Sequence, residues 1–223
     1  IFLIILLEYS GIKSDHVFQQ NKLNEFNKAL LDSWNYIKQK KTNKTKMISY
    51  TKDVLQLAKD NCMNKGLVLE FGVRFGTSIR QIAEIFKSKI HGFDSFEGLP
   101  EAWHNTPKNF YSTFGEIPST PENVTLHEGL FSKSLPLFLQ HHKDKIKFIN
   151  IDCDIYSSTK TVLDLLSNQI VPGSIILFDE YIGNENWRKD EYKAFQEAVK
   201  KYNWNYEYLA FSVQTKQVLI KIT

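Results

Sequence analysis

Leu67-Val68-Leu69-Glu70-Phe71-Gly72-Val73-Arg74-Phe75-Gly76-Thr77-Ser78 reads as a strand, a glycine turn and the start of a helix. Leu67, Val68, Leu69 and Phe71 make a short apolar run, Gly72 and Gly76 break it, and Ile79, Ile82, Ala83 and Phe86 recur at helical spacing. Such a turn lets a ligand approach the backbone with no Cβ intervening, and it aims the free N–H groups of the next helix at that ligand. Glu70 is the unusual member. A carboxylate gives a phosphate-binding turn nothing, whereas it suits a ligand that carries an amino group and ribose hydroxyls. Taken alone, the turn also fits a tight connection that binds nothing.

Downstream, strand and helix alternate. Lys89 to Phe93 is a strand ending on Asp94, an acid roughly 20 residues beyond the glycine turn, where a carboxylate can accept both hydroxyl protons of a ribose. A long loop follows to Asn123, with Pro107, Pro118 and Pro121, of the length used for lids. Val124 to Leu126 makes a third strand, leading into His127-Glu128-Gly129. Ser134 to His142 is expected to be helical, with Pro136 in its first turn. A fourth strand, Ile146 to Ile151, ends in Asp152-Cys153-Asp154; alternation would place the two acids on one side and Cys153 on the other. Ser157, Ser158 and Thr159 offer cap hydroxyls for the helix that follows. Ser174 to Phe178 is a fifth strand ending in Asp179-Glu180-Tyr181, and Tyr206 to Phe211 with Gln217 to Ile222 closes the chain as an antiparallel pair. The expected fold is an α/β, Rossmann-like, doubly wound sheet of seven strands, mostly parallel.

Upstream, Leu23, Phe26, Leu30, Trp34 and Ile37 form one helical stripe, and Lys38 to Lys46, with five lysines in nine residues, reads as a solvated linker. Residues 1–63 are thus expected to form a helical extension or cap, and 64–223 the main domain. The apolar start, Ile1 to Leu7, is too short to span a bilayer and reads as a truncated strand or helix end. With 28 basic and 25 acidic residues the net charge is only +3, so no strong field argues for nucleic acid or a membrane as partner. Two cysteines, Cys62 and Cys153, give no disulfide framework and suit a reduced, cytoplasmic setting. A homo-oligomer is left open.

Asp152, Asp154, Asp179 and Glu180 would repel one another unless a cation or shared protons neutralised them. Oxygen ligands alone would favour magnesium, manganese or calcium over zinc. The bland alternative has these acids capping helices or sitting in water.

Taken together, Glu70-Phe-Gly72-Val-Arg-Phe-Gly76-Thr-Ser78, Phe93-Asp94-Ser95-Phe96-Glu97-Gly98-Leu99-Pro100, Ile151-Asp152-Cys153-Asp154-Ile155-Tyr156-Ser157-Ser158-Thr159 and Phe178-Asp179-Glu180-Tyr181 resemble class I S-adenosylmethionine-dependent methyltransferases of the macrocin O-methyltransferase type. The resemblance runs from about Leu67 to Val199. It implies that Glu70, Gly72 and Gly76 line the methionine half of S-adenosylmethionine, with Thr77 and Ser78 nearby. Asp94 would hold the ribose, and Ser95, Glu128 and Gly129 would flank the adenine. Asp152, Asp179 and Glu180 would bind Mg2+, and Asp154 would be the general base beside Asp152. Glu180 departs from the family, which usually has a second Asp there. The implied reaction is methylation of a hydroxyl on a sugar or glycosylated small molecule. Two other readings stand beside it. One is a nicotinamide-dependent oxidoreductase, weakened by the lack of regular G-x-G-x-x-G spacing; the other is a non-catalytic methyltransferase-like binding module, against which the intact acids argue.

Overall fold

The computed structural model describes residues 16–63 and 65–223, with side chains from residue 24 onward. The expectation for Ile1 to Leu7 lies outside these residues. In chain order the elements are α1 (His16–Lys40), β1 (Lys46–Met47), α2 (Thr51–Asn61), β2 (Leu67–Phe71), α3 (Thr77–Phe86), β3 (Ile90–Asp94), β4 (Val124–Glu128), α4 (Phe131–His141), β5 (Ile146–Ile151), α5 (Tyr156–Leu165), β6 (Ile175–Phe178), a 3-10 turn (Trp187–Lys189), α6 (Glu191–Tyr202), β7 (Tyr206–Phe211) and β8 (Val218–Ile222).

The seven expected strands all form, and an eighth joins them. Lys46 and Met47, at the end of the lysine-rich stretch, pair in parallel with Ala210 and Phe211 at the sheet edge. The order is β1-β7-β8-β6-β5-β2-β3-β4, with β8 antiparallel to both its neighbours. From β2 the chain winds outward through β3 to β4, then crosses back to lay β5 on the other side of β2. That reversal makes the carboxyl ends of β2 and β5 a topological switch point, where open α/β sheets bind ligands.

Alternation along each strand splits the core in two. Leu67, Leu69 and Phe71 join Leu135, Phe138, Val162, Leu163 and Phe195 of α4, α5 and α6 on one face. Val68 joins Val54, Leu55 and Ala58 of α2 and Ile79, Ile82 and Phe86 of α3 on the other. Stripping this apolar surface from water is the main drive for the fold.

Three local expectations are corrected. In α1 the buried face is Ala29, Ser33, Tyr36 and Ile37, while Phe26 and Trp34 of the apolar stripe are 40% and 44% exposed. Small side chains let the helix approach: Ser33 Oγ donates to the Ala29 carbonyl and accepts the Gly183 N–H at 2.9 Å. Helix α4 starts earlier than expected, because the Leu130 carbonyl accepts from Lys133 and Ser134, so Pro136 sits in the second turn at the loss of one main-chain bond. Helix α5 is not capped by a side chain. Ser157 Oγ donates to Glu101 instead, and Thr159 Oγ1 turns back to the Ile155 carbonyl.

Candidate active site

Main-chain pairing continues past the strand ends at the switch point. Gly72 N–H donates to the Phe93 carbonyl, Asp152 N–H to that of Phe71 and Asp179 N–H to that of Ile151, each at 2.9 Å. Gly72, Asp152 and Asp179 therefore stand in adjacent rows, and a cleft of about 430 Å³ opens over them. Gly72 is glycine for close approach: at φ +95°, a Cβ there would lie 1.8 Å from the Asp152 carbonyl oxygen.

The expected cofactor residues divide between two cavities. Gly72, Asp94, Ser95 and Gly129 line the large cleft. Thr77 and Ser78, at the start of α3, line a smaller cavity of about 220 Å³ on the opposite face of β2. Asp152 and Asp179 border both cavities. Gly76 borders neither; its left-handed backbone, φ +76°, starts α3. Glu128 is exposed at the end of β4.

Asp94 already organises the turn. Its Oδ2 accepts the N–H groups of Val73 and Arg74 at 2.8 and 2.7 Å, and its Oδ1 accepts that of Phe96 at 2.8 Å. A carboxylate has about four acceptor positions, so one remains for a hydroxyl in the cleft. Gly129, at φ +119°, has nothing within 4 Å of where a Cβ would sit, which leaves the wall beside Leu130 and Phe131 open for a planar ring.

Glu70, expected at the methionine half, lies behind the cavity walls. Its side chain points to the same face as Val68, is fully buried and lines neither cavity. Oε1 accepts from Asn150 Nδ2 at 2.8 Å, while Oε2 and Asn150 Oδ1 are both without a partner. Burial pushes the carboxyl up to about 8, with Asp179 and Asp94 adding to the rise and Ser78 and Asn150 opposing it. The acid is thus a neutral strut beneath the small cavity. Its folded state holds a proton that the unfolded chain releases near 4.5, so the stability it gives is complete below that pH and is lost as pH rises towards 8. We expect the melting temperature of Glu70→Gln to fall less steeply than that of the native protein between pH 5 and 8, the difference approaching about 1.4 kcal/mol per pH unit at most. Parallel melting curves for the two proteins would show that this carboxyl does not carry its proton into the fold.

Beyond β5 the acids do not alternate. The Ile155 N–H turns back to the Cys153 carbonyl and Asp154 takes φ +60°, so Asp152, Cys153 and Asp154 all border the same cleft. A left-handed non-glycine residue costs on the order of 1–3 kcal/mol and is held only where its surroundings insist on it. Here it presents the Asp154 carboxyl to the cleft beside Asp179 and Glu180.

Every acid of this group is pushed upward. Burial leads for Asp152, with Asp179 and Asp154 adding to it; Asp154 reaches about 7 through burial, Glu180 and Asp179. Asp179 and Glu180 rise through burial as well, and Lys216 pulls both of them and Asp154 back. The cluster has a fifth member: Glu191, fully buried at the start of α6, accepts the Glu180 N–H at 3.1 Å and is raised well above its usual range by burial, Asp179 and Asp154.

The structure does not show the expected Mg2+ site at Asp152, Asp179 and Glu180. Among the described residues no three carboxylate, imidazole or thiol groups converge as metal ligands. Asp179 Oδ1 accepts from Gln217 Nε2 at 2.5 Å, and the Lys216 ammonium lies 3.3 Å from Glu180 Oε2. Both partners come from the β7–β8 hairpin, which the sequence marks only as a turn.

Other side chains brace the walls around the site. His104 is an exposed loop residue whose Nε2 lies 2.8 Å from Asp190 Oδ2, tying the long loop to the start of α6. Arg188 does not face the cleft; it makes a two-pronged pair with Asp32 of α1, at 2.8 and 2.9 Å, over the buried Trp187. His142 stacks on Phe138, ring centres 4.1 Å apart. Arg74 and Tyr111, absent from the sequence-derived set, line the cleft with the guanidinium 4.7 Å from the ring centre.

A family model described as a methyltransferase domain matches residues 69–181, 113 of the 223 residues. Among solved structures the chain is similar to the calicheamicin methyltransferase CalS11, at 20% identity over 98% of this chain and 89% of that one, TM-score 0.60. A second structure, described as apo CalS11, a TDP-rhamnose 3'-O-methyltransferase, aligns at 21% identity over 98% and 90%, TM-score 0.53. The O-methyltransferase NovP aligns at 17% identity over 77% of this chain and 79% of its own, TM-score 0.57. A search of curated proteins finds no match. At these identities the structural likeness speaks for the fold.

Proposed function

From the premise that this chain belongs to the methyltransferase-domain family, we propose that it methylates a hydroxyl of a sugar or glycosylated small molecule, with Asp154 as the general base. The observation that carries this reading is the cleft itself, which has the ribose-holding acid Asp94 on one wall and a carboxyl poised near 7, Asp154, on the other. When bound, S-adenosylmethionine supplies a methyl group on a sulfonium, whose departing thioether is neutral and needs no acid.

The residues fit that molecule. Asp94 has an acceptor position left for a ribose hydroxyl, and the open wall at Gly129, with Ser95 near it, suits an adenine. The small cavity, with Thr77 and Ser78 at the start of α3, suits the methionine end and meets the large cleft at Asp152. Asp154 then takes the proton of the acceptor hydroxyl, a step worth roughly 10²- to 10⁴-fold in rate. Fixing the reactants in line supplies much of the rest. The fold likeness to a TDP-rhamnose 3'-O-methyltransferase supports a sugar as the acceptor class. In this reading α1 packs against a catalytic domain that takes in β1 and α2 as part of its sheet and core, and the free thiols of Cys62 and Cys153 suit a reducing cytoplasm. No helix among the described residues is long and apolar enough to cross a membrane.

Calorimetric titration with S-adenosylmethionine, with NAD as control, tests the reading. We expect binding of the first alone, weakened at least about tenfold in Asp94→Ala, which loses the ribose acceptor and unties the turn. Circular dichroism of the variant separates a lost site from a lost fold. Binding of NAD in preference to S-adenosylmethionine would sink the proposal.

A further inference from the structure

The carboxylate cluster has a cation of its own. Lys216 follows the β7–β8 turn at φ +61°, and its stem packs over Gly183, where a Cβ would meet Lys216 Cγ at 3.1 Å. That backbone sends the ammonium back to the cleft's acidic wall, where it lies 3.3 and 3.5 Å from the two Glu180 oxygens and donates to Asn184 Oδ1. Its neighbour Gln217 donates to Asp179. Thus two of the three residues expected to share a metal are each held by a donor from one hairpin. Glutamate at position 180 fits this arrangement: its extra methylene carries the carboxylate to the lysine.

We propose that Lys216 is the built-in counter-cation of this cluster, filling by charge the place of a divalent ion at Asp179 and Glu180. The consequence for catalysis rests on the function proposed above: Asp154 takes the hydroxyl proton with no metal to acidify it, and Lys216 keeps the neighbouring carboxylates from repelling the negative charge that develops on the oxygen. Lys216 does not line the cleft, so it acts through Glu180 as a positioning residue. A second cation placed beside a fixed ammonium meets a repulsion that runs against binding even at the moderate dielectric of a protein surface.

Binding of Mn2+ to the protein, read from loss of the free-ion paramagnetic resonance signal, tests this with neither cofactor nor acceptor present, so a failure of the methyltransferase reading leaves the result interpretable. Lys216→Met keeps the stem and removes the charge; Lys216→Arg keeps the charge. We expect Lys216→Met to bind Mn2+ at least about tenfold more tightly than the native protein, and Lys216→Arg to bind as the native protein does. Equal affinity of native protein and Lys216→Met, whether both bind or neither does, overturns the proposal. If Lys216→Met does not fold, the native protein decides: one equivalent of Mn2+ bound, and displaced by Mg2+, overturns it, and its absence supports it.

Discussion

Gly72→Ala is expected to melt roughly 10 °C below the native protein and to lose its S-adenosylmethionine binding. The added methyl would sit 1.8 Å from the Asp152 carbonyl oxygen and 2.8 Å from its carbon. Both are backbone atoms of a chain pinned on either side by the Asp152 and Asp179 ladder bonds, so no side chain can swing away to relieve the clash. Overpacking of this kind costs about 1–3 kcal/mol, and φ +95° adds a left-handed penalty of on the order of 1 kcal/mol or more. The two together account for about 4 kcal/mol, among the larger effects of single substitutions. Gly115→Ala separates the contributions. Gly115 has φ +80° but nothing within 4 Å of a Cβ, so that variant should show the backbone penalty alone. Differential scanning calorimetry of the two reads the difference, and melting temperatures within a degree of one another would mean that β2 and β5 can separate at their ends without loss.

The strand ends were legible because the signals that mark them are local. Leu67 to Phe71 and Ile146 to Ile151 are apolar runs that stop at acids, and the glycines at 72 and 76 stop the first where the structure stops it. The order of strands was legible only as a class, because right-handed crossovers constrain the winding but not which edge receives the last hairpin. The side-chain directions were partly readable. Period two from Phe71 puts Glu70 on the opposite face, towards Val68, which already argues against a place in the large cleft. The same rule misleads at Asp154, because the chain has left extended geometry there and a left-handed residue resets the alternation. Lys216 was not legible at all. It lies 36 residues from Glu180 in sequence, and its nearness exists only because β8 pairs with β6 and so delivers the hairpin to the end of that strand.

The pairing of β8 with β6 also decides what kind of base the site can hold. Four carboxyls, Asp152, Asp154, Asp179 and Glu180, border the cleft near the switch point, but they are held differently. Asp152 stands half-buried between the two cavities, and burial, with Asp179 and Asp154 adding to it, pushes its carboxyl well above the usual range. Asp179 accepts from Gln217, and Glu180 is committed to Lys216. Of the four, Asp154 combines a place on the cleft wall, free of a side-chain donor from the β7–β8 hairpin, with a carboxyl raised to about 7, the value at which a base is both ionised and still avid for a proton.

Asp154→Asn should therefore lower kcat by roughly 10²- to 10⁴-fold while S-adenosylmethionine binds within about twofold of native affinity. The amide keeps the shape and hydrogen-bonding reach of the carboxyl and removes only its capacity to accept a proton. Methyl transfer to a panel of nucleoside-diphosphate deoxysugars, followed as release of S-adenosylhomocysteine, measures the first quantity and calorimetry the second. The native kcat should rise with pH through about 7 as burial's hold on the proton is overcome, and the residual rate of Asp154→Asn should not follow that rise. Asp152→Asn, which replaces a carboxyl that burial pushes well above its usual range, should keep the native pH profile even where its rate falls. A pH profile that survives in Asp154→Asn and vanishes in Asp152→Asn would move the base to Asp152, and with it the position of the acceptor from the open cleft to the passage between the two cavities.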